Sequence, residues 1–165
     1  MKVGIVSDTH GKLERLNEAL DQLLGRGAEA MVHCGDIGSA ECLAALGARW
    51  APAWAVAGNM DRRLPALIAA ARKAGVQFGQ QVVQLPVGDG RRLAATHGND
   101  PGVLASLIGG GEFAYVCHGH THRRRDERIG ACRVINPGAL HRPRDTRATA
   151  ALLETATDTV EFVDV

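Results

Sequence analysis

The side chains of this sequence with the clearest chemical potential are Asp, His and Asn residues that follow short apolar segments. They occur in five clusters: Asp8-Thr9-His10, Gly35-Asp36, Gly58-Asn59-Met60-Asp61, His97-Gly98-Asn99 and His118-Gly119-His120-Thr121-His122. Each cluster follows a run that is typical of a β-strand, and ligands bind beyond the carboxyl ends of strands in open α/β sheets. Packing alone does not explain five such strand ends. We therefore expect the clusters to meet in one polar site.

The residue types in these clusters favour a transition-metal site. Carboxylate, imidazole and carboxamide groups together suit such ions, whereas Ca²⁺ prefers oxygen ligands alone. The seven candidate ligands are Asp8, His10, Asp36, Asn59, His97, His120 and His122. One ion does not take seven ligands, but one carboxylate shared between two ions would provide each ion with four. Two ions about 3.5–4 Å apart are the arrangement expected for a two-metal hydrolase.

The elements that would position the first three clusters alternate between strands and helices. Apolar β-type runs predict strands over residues 2–6, 30–33 and 53–57. Helical spacing predicts a helix from residue 13 to the glycines at 25 and 27, a second capped by Ser39 and extending to residue 46, and a third over residues 64–74 that ends at Gly75. Strands that alternate with helices imply parallel βαβ units.

The second half of the chain has a different pattern. A hairpin-like connection at residues 87–90 separates predicted strands at 81–85 and 91–96, and a short helix is predicted over 101–108. A strand is predicted over residues 113–117, and further strands, which we expect to be antiparallel, are predicted over 123–128, 132–135, 147–154 and 159–165. Two sheets packed face to face with helices outside would accommodate both halves.

The five ordered motifs resemble those of the calcineurin-like metallophosphoesterases. The segment Asn136-Pro137-Gly138, with Pro143-Arg144 beyond it, is similar to the small bacterial and archaeal phosphodiesterase branch of that family. The resemblance extends from Lys2 to about Arg144, and the length of the chain fits without a cap domain. It implies an α/β fold, specifically a four-layer α/β/β/α sandwich of two mixed sheets, in one domain over residues 1–165.

The resemblance also implies the roles of the seven candidate ligands. Metal one would be held by Asp8, His10, Asp36 and His122. Metal two would be held by Asp36, Asn59, His97 and His120, so that Asp36 bridges the ions. The expected activity is that of a metal-dependent phosphoesterase, with phosphodiesterase favoured, in which a metal-bridging hydroxide attacks phosphorus. We expect two divalent ions, Mn²⁺ first, with Fe, Zn²⁺, Ni²⁺ or Co²⁺ as alternatives.

One position departs from the family pattern. Some relatives have a histidine after the motif asparagine that protonates the leaving group or holds the phosphate, but this chain has Met60 there. His141, in the loop after Asn136-Pro137-Gly138, is our candidate for the missing acid. We assign Asp61 to the catalytic set as a residue that orients a ligand histidine, with an N-cap of the next helix as the alternative.

Other polar residues have ordinary structural explanations as well as functional ones. His33 and His118 are expected to be packed at strand ends, although His118 could contact substrate. Arg123-Arg124-Arg125 is expected to be a charged edge strand that prevents sheet association, with attraction of an anionic substrate as the alternative, and Arg142 and Arg144 share that ambiguity. The four cysteines are expected to be structural.

Composition excludes some functional classes. The 165 residues carry a net charge of +1 and only 4% aromatic residues, which argues against a nucleic-acid partner. The N-terminal residues lack a signal-peptide pattern and no apolar run is long enough for a membrane span, so we expect a cytoplasmic protein that acts on a small phosphoester and could form a homo-oligomer. A phosphomonoesterase, a nuclease and a non-catalytic scaffold like the retromer subunit of this fold remain the alternatives.

Overall fold

The structure, a computed structural model, describes residues 1–50, 52–141 and 147–165. Within these residues the chain forms four helices and eleven strands. The helices are α1 (Leu13–Gly25), α2 (Ala40–Arg49), α3 (Leu64–Ala74) and α4 (Pro101–Gly109). The strands are β1 (Lys2–Val6), β2 (Ala30–His33), β3 (Ala53–Val56), β4 (Val76–Gly79), β5 (Val82–Pro86), β6 (Arg92–Thr96), β7 (Tyr115–Cys117), β8 (Arg124–Ile129), β9 (Cys132–Pro137), β10 (Thr149–Glu154) and β11 (Thr159–Asp164).

The strands form two mixed sheets, as predicted. The first sheet has the order β11-β10-β1-β2-β3-β4, in which β1 to β4 run parallel. In this sheet β10 is antiparallel to β1, and β11 is antiparallel to β10. The second sheet has the order β5-β6-β7-β9-β8, in which β6, β7 and β9 run parallel and the two outer strands are antiparallel. The parallel strands in the middle of each sheet carry the polar clusters at their carboxyl ends.

Apolar packing divides the molecule into four layers. The helices α1, α2 and α3 cover the outer face of the first sheet with residues such as Leu16, Leu20, Leu43 and Leu67. The two sheets pack on each other through Val3, Ile5, Val32, Leu85, Leu93 and their neighbours. On the far side, α4 covers the second sheet, where Leu104 and Leu107 contact Phe113 and Val116. The predicted α/β/β/α sandwich is therefore confirmed.

Several local predictions are also confirmed. The Ser39 hydroxyl accepts a hydrogen bond from the Cys42 amide and caps α2. Gly75 ends α3 in a left-handed conformation with φ of 71°. Glycine suits this position because a residue with a side chain would be strained there. The helix α2 continues to Arg49, one turn beyond the predicted end, because its last residues still pack against α3.

The sequence prediction missed one strand and gave the wrong direction for one strand pairing. The strand β4 was not predicted, because Val76 and Phe78 are too few apolar residues to stand out after a helix. The strand β9 is antiparallel to β8, as expected, but it is parallel to β7. The pairing of β9 with β7 depends on where the β8–β9 hairpin lies against the sheet, which local residue patterns do not show.

None of the helices in the described ranges is both long and apolar enough to cross a membrane.

Candidate metal centre

Backbone hydrogen bonds bring the five polar clusters together at one rim of the sandwich. The Asp8 amide donates to the Gly35 carbonyl at 3.0 Å, which joins the loops after β1 and β2. In the second sheet, the Gly119 amide donates to the His97 carbonyl at 3.0 Å. The His120 amide donates to Asp8 Oδ2 at 3.1 Å and so connects the two sheets. The clusters predicted to form one site therefore do share one edge of the fold.

One half of the site contains Asp8, His10 and His122. Asp8 is fully buried, and its Oδ1 lies 3.2 Å from His122 Nε2. His10 Nε2 lies 3.6 Å from Asp36 Oδ2. The donor atoms of Asp8, His10 and His122 all lie within 4.8 Å of one another, close enough to hold one metal ion.

The other half contains His97, Asn59 and His120. His97 Nε2 lies 3.4 Å from Asp36 Oδ2 and 3.0 Å from Asn59 Oδ1. His120 Nδ1 lies 3.1 Å from the same Asn59 oxygen. A second triplet with donor atoms within 4.8 Å consists of Asp8, Asp36 and His97. Asp8 is common to the two triplets, whereas a single oxygen of Asp36 lies within 4 Å of an imidazole nitrogen from each half.

The hydrogen bonding of these groups fits divalent cations. His97 Nδ1 donates to the Cys34 carbonyl at 2.9 Å, an orientation that directs Nε2 towards the Asp36 and Asn59 oxygens. Asp8 Oδ1 and His10 Nε2 are buried and have no hydrogen-bond partner among the described residues. Burying such atoms without a partner costs about 1–3 kcal/mol each. A positive charge between atoms that all offer lone pairs would remove that cost.

The acid–base properties of the metal-free site show the same demand for positive charge. Burial raises the pKa of Asp8 above its usual value. Burial would also raise the pKa of Asp36, but hydrogen bonds from His97 and the Met60 amide outweigh it and lower that pKa. Burial opposes protonation of His97, yet the hydrogen bond with Asp36 raises its pKa. The negative charge of Asp36 that raises the pKa of His97 is the same charge that would attract a cation.

The backbone at the site is held in an unfavourable conformation. Among the described residues other than glycine, seven have a positive φ: Asp8, His10, Asp36, Asp89, His120, His122 and Asp158. Five of these seven are candidate metal ligands. A left-handed conformation at a residue with a side chain costs about 1–3 kcal/mol, and such strain accumulates at functional sites. The tight turns aim these side chains into the cleft.

Two glycines are required because other groups approach them closely. A Cβ atom on Gly58 would lie 2.1 Å from Asp36 Oδ1 and 2.2 Å from the Asp36 amide nitrogen. A Cβ atom on Gly119 would lie 1.8 Å from Ser7 Oγ and 2.6 Å from Asp8 Oδ2. These glycines therefore leave the space that the two aspartates occupy.

Comparison with known proteins decides the family. The family model described as the calcineurin-like phosphoesterase superfamily domain matches residues 1–158. The chain belongs to this superfamily. The family brings with it divalent metal ions and phosphoester substrates, and the clustered donors in the structure agree with the first of these.

Individual relatives place this phosphoesterase near the small members of the family. It is 30% identical over 141 residues to phosphodiesterase MJ0936 of Methanocaldococcus jannaschii, and this alignment covers 84% of this chain and 83% of the relative. It is 30% identical over 183 positions to YsnB of Bacillus subtilis, named a probable metallophosphoesterase, with 99% and 91% of the two chains covered. The solved structure of an archaeal phosphodiesterase matches with a TM-score of 0.90 and 27% identity over 100% of both chains.

Asp61 has a different place in the phosphoesterase from either role considered for it. Its carboxylate accepts hydrogen bonds from the amides of Gly58 at 2.9 Å, Ile37 at 3.1 Å and Gly38 at 2.8 Å. It does not cap α3, whose N-cap residue is Arg63. No histidine in the described part of the chain donates to it. Asp61 instead joins the loop that carries Asp36 to the loop that carries Asn59.

His141 lies beside the metal-ligand candidates. Its amide donates to the Asp8 carbonyl at 2.7 Å, and its ring lies 5.0 Å from the His10 ring, centroid to centroid. Burial and the neighbouring His10 lower the pKa of His141. The Met60 side chain is half exposed, and its backbone amide donates to Asp36 Oδ1 at 2.8 Å. Arg142, Pro143 and Arg144, which belong to the sequence motifs described above, lie outside the described residues.

Asn136 contributes to the site more directly than the sequence suggested. The fully buried Asn136 side chain donates to the Gly119 carbonyl at 2.8 Å and to Thr121 Oγ1 at 3.1 Å. Its oxygen accepts from the Gly138 amide at 2.9 Å. This side chain therefore holds the loop with His120 and His122. The available signal was a carboxamide directly after the apolar Val134 and Ile135 near the end of β9.

The other two histidines are buried behind the ligands. His118 has its Nε2 atom buried without a hydrogen-bond partner among the described residues, and burial lowers its pKa to about 4. His33 Nε2 shares a hydrogen bond with Thr9 Oγ1 at 2.7 Å, and His33 Nδ1 accepts from the Gly35 amide at 3.2 Å. Both histidines are thus packed at strand ends, as expected.

His33 should make the metal-free protein less stable in acid. Burial lowers its pKa to about 4 from the ordinary 6.5. Below pH 6.5 the unfolded chain binds a proton that the folded state excludes, so the contribution is present above that pH and is lost as the pH falls towards 4. The loss amounts to about 2 kcal/mol at pH 5. We expect urea unfolding in EDTA to show a steeper decline between pH 7 and 5 for the wild type than for His33→Asn. Parallel stability profiles for the two proteins would contradict this.

Proposed function

We propose that this phosphoesterase is a phosphodiesterase with a dinuclear centre, in which Asp36 bridges two divalent transition-metal ions. The position of Asp36 Oδ2 supports the proposal, because it lies 3.6 Å from His10 Nε2 and 3.4 Å from His97 Nε2. A carboxylate oxygen in this position could bind two adjacent cations, each of which also binds one of the two imidazoles. The relative from M. jannaschii is named a phosphodiesterase, which supports the substrate class.

The donors divide into two sets around Asp36. Asp8, His10 and His122 would complete the first ion site, and Asn59, His97 and His120 the second. Mn²⁺ is our first choice for both ions, because mixed oxygen and imidazole ligands suit it, while Fe, Zn²⁺, Ni²⁺ and Co²⁺ accept the same groups. When bound, such ions activate water and neutralise charge on the phosphoryl oxygens.

The protein's own groups hold these donors in place and provide a proton donor. Asp61 fixes the Asp36 and Asn59 loops relative to each other through three backbone amides. His141 is our candidate for donating to the leaving oxygen. Burial and the neighbouring His10 lower the pKa of His141, which disfavours its protonated form and reduces the fraction available as an acid. We expect leaving groups of low basicity to react faster, since they need less protonation.

The assignment also carries our remaining expectations about the protein. We propose one catalytic domain over residues 1–165 without a cap, so that the cleft accepts a second substituent on phosphorus. A cytoplasmic location is supported by four buried, unpaired cysteines in the described part of the chain. A net charge of +1 supports a small substrate in preference to a nucleic acid.

Metal depletion tests the proposed function. Dialysis against EDTA should lower hydrolysis of bis(p-nitrophenyl) phosphate by at least about 100-fold, because the proposed mechanism depends on water activated by the metal ions. Reconstitution with Mn²⁺ should restore the rate and bind two ions per chain, measured by elemental analysis. The value of kcat/KM should exceed that for p-nitrophenyl phosphate by about tenfold. Faster monoester hydrolysis would favour a phosphomonoesterase, and full metal occupancy without activity would favour a scaffold.

A further inference from the structure

Two cavities with different chemistry lie at opposite ends of the metal centre. One, of about 440 Å³, is lined by His122, Arg124, Arg147, Thr149 and Asp164, and we call it the arginine pocket. The other, of about 330 Å³, is lined by Ala57, Gly58, Asn59, Gln80, Gln81, Thr96, His97, Asn99 and Asp100, and we call it the amide pocket. Candidate metal ligands line part of each pocket, His122 in the arginine pocket and Asn59 and His97 in the amide pocket, so both pockets border the proposed metal site.

Sheet topology places the pockets on opposite sides. The arginine pocket is built from β8, β10 and β11, at one edge of each sheet. The amide pocket lies beyond β3, β4 and β6, towards the other edge. The strands β1 and β2, which deliver Asp8 and Asp36, lie between the two groups in the first sheet. A ligand centred on Asp36 can therefore extend into both pockets.

The arginine pocket has a net positive charge, carried by two arginines that share one carboxylate. Asp164 accepts from Arg147 at 2.8 Å and also pairs with Arg124, and the hydrogen bond from Arg147 lowers the pKa of Asp164. The Arg124 guanidinium lies 5.4 Å from the centre of the Phe162 ring, which limits its movement. Two guanidinium groups against one carboxylate leave one positive charge in the pocket. The fork of N–H groups on each arginine matches phosphate and carboxylate geometry.

The amide pocket differs in its charge. Its lining combines the side-chain amides of Gln80, Gln81 and Asn99 with Asp100, and it contains no Lys or Arg. The Asp100 carboxylate is occupied by the Gly102 and Val103 amides at the start of α4. Away from His97 and Asn59 at the metal site, this pocket offers hydrogen bonds but no cationic side chain, so it is less favourable for an anionic group than the arginine pocket. The two ends of the cleft therefore favour different substituents.

We propose that Arg124 and Arg147 form a subsite for an anionic group on one substituent of the phosphodiester. The subsite rests on the proposed function and narrows its substrate class to diesters that carry a second phosphate or a carboxylate. Charge-assisted hydrogen bonds to an anion are worth about 1.5–3 kcal/mol, which corresponds to roughly 10–100-fold in affinity. The effect should appear in KM and kcat/KM, since the contact is remote from the reacting bond.

A pair of substrates that differ in a single phosphate tests the subsite. Thymidine 5′-(p-nitrophenyl phosphate) and its 3′-phosphorylated form share the same leaving group and the same nucleoside. The Mn²⁺-loaded wild type should prefer the phosphorylated form by about tenfold or more in kcat/KM. Arg147→Ala and Arg124→Ala should each reduce this ratio towards 1 through KM, while hydrolysis of the unphosphorylated form stays near the wild-type rate.

Two further variants separate a local subsite from general attraction of anions. Arg123→Ala removes the same charge from an exposed neighbour that does not line the pocket, and it should leave the ratio unchanged. Asp164→Asn removes the carboxylate that competes for the arginines, and it should increase the ratio. An equal loss with Arg123→Ala, or no loss with Arg147→Ala, would overturn the subsite.

Failure of the underlying function has a different signature. If neither diester is hydrolysed, the proposed function fails, and calorimetry on the same Mn²⁺-loaded proteins then tests the subsite by itself. The wild type should bind thymidine 3′,5′-bisphosphate about tenfold more tightly than thymidine 5′-phosphate. The Arg147→Ala protein should bind the two ligands with equal affinity. Equal binding of the two ligands to the wild type would overturn the subsite.

Discussion

Asp36→Asn is expected to lower diester hydrolysis by at least about 10²–10³-fold, the loss that follows removal of one preorganised charge-stabilising group. The substitution removes the negative charge that lies between His10 and His97 while leaving the shape of the side chain almost unchanged. Asparagine tolerates a positive φ as well as aspartate does, so the φ of 53° at this position adds no strain. Steady-state kinetics and elemental analysis of the same preparations should show that activity and metal content fall together.

Asp89→Asn is the matched control for this change. Asp89 also has a φ of 53°, but its side chain is 85% exposed and pairs with Arg91 far from the rim that carries the ligands. The Asp89→Asn protein should keep wild-type activity and bind two ions per chain. An Asp36→Asn protein with near-wild-type turnover and full metal content would exclude Asp36 as the bridge.

Gly58→Ala is expected to reduce activity about 100-fold, because small displacements of catalytic groups have effects of that size. The added methyl group would lie 2.1 Å from Asp36 Oδ1 and 2.2 Å from its amide nitrogen, so the Asp36 loop has to move. It also interferes with the loop that Asp61 holds, since Gly58 donates to Asp61 Oδ2. We expect a loss of about 1–3 kcal/mol in unfolding free energy. Urea unfolding and metal titration of the purified variant measure both effects.

Gly25→Ala provides the opposite result for the same chemical change. Gly25 is the last residue of α1, it has no positive φ, and a Cβ atom there meets nothing within 4 Å. Replacing it should leave activity unchanged and stabilise the helix by up to about 1 kcal/mol. If Gly58→Ala behaved like Gly25→Ala, the close approach of Asp36 to Gly58 would not be a requirement of the site.

The order of elements was accessible from the sequence because it depends on local patterns. Helical spacing in α1, the Ser39 cap of α2 and the Gly75 stop of α3 each act over a few residues, and each is present in the structure. The strand β4 was missed because its pairing with β3 compensates for a weak local pattern. The parallel pairing of β9 with β7 depends in the same way on residues that are distant in the chain.

The candidate ligands were accessible from the sequence for a related reason. Side chains at the carboxyl ends of parallel strands share an edge, so their chemistry and order predicted that Asp8, Asp36 and His97 would meet. The contacts that hold them were not predictable in the same way. The sequence predicted that Asp61 orients a histidine or caps a helix, whereas it accepts hydrogen bonds from one amide of its own loop and two amides of the Asp36 loop.

The amino-acid sequence by itself determined the types of donor groups in this phosphoesterase and their order around a shared edge, since residue chemistry and strand periodicity are properties of short segments. Only the tertiary structure decided which atoms face one another: Asp36 Oδ2 between His10 and His97, Gly58 against Asp36, and Arg124 and Arg147 around Asp164. The Asp36–His97 and Arg124–Asp164 distances depend on how the two sheets pack on each other, whereas the other distances depend on how neighbouring segments of the first sheet pack.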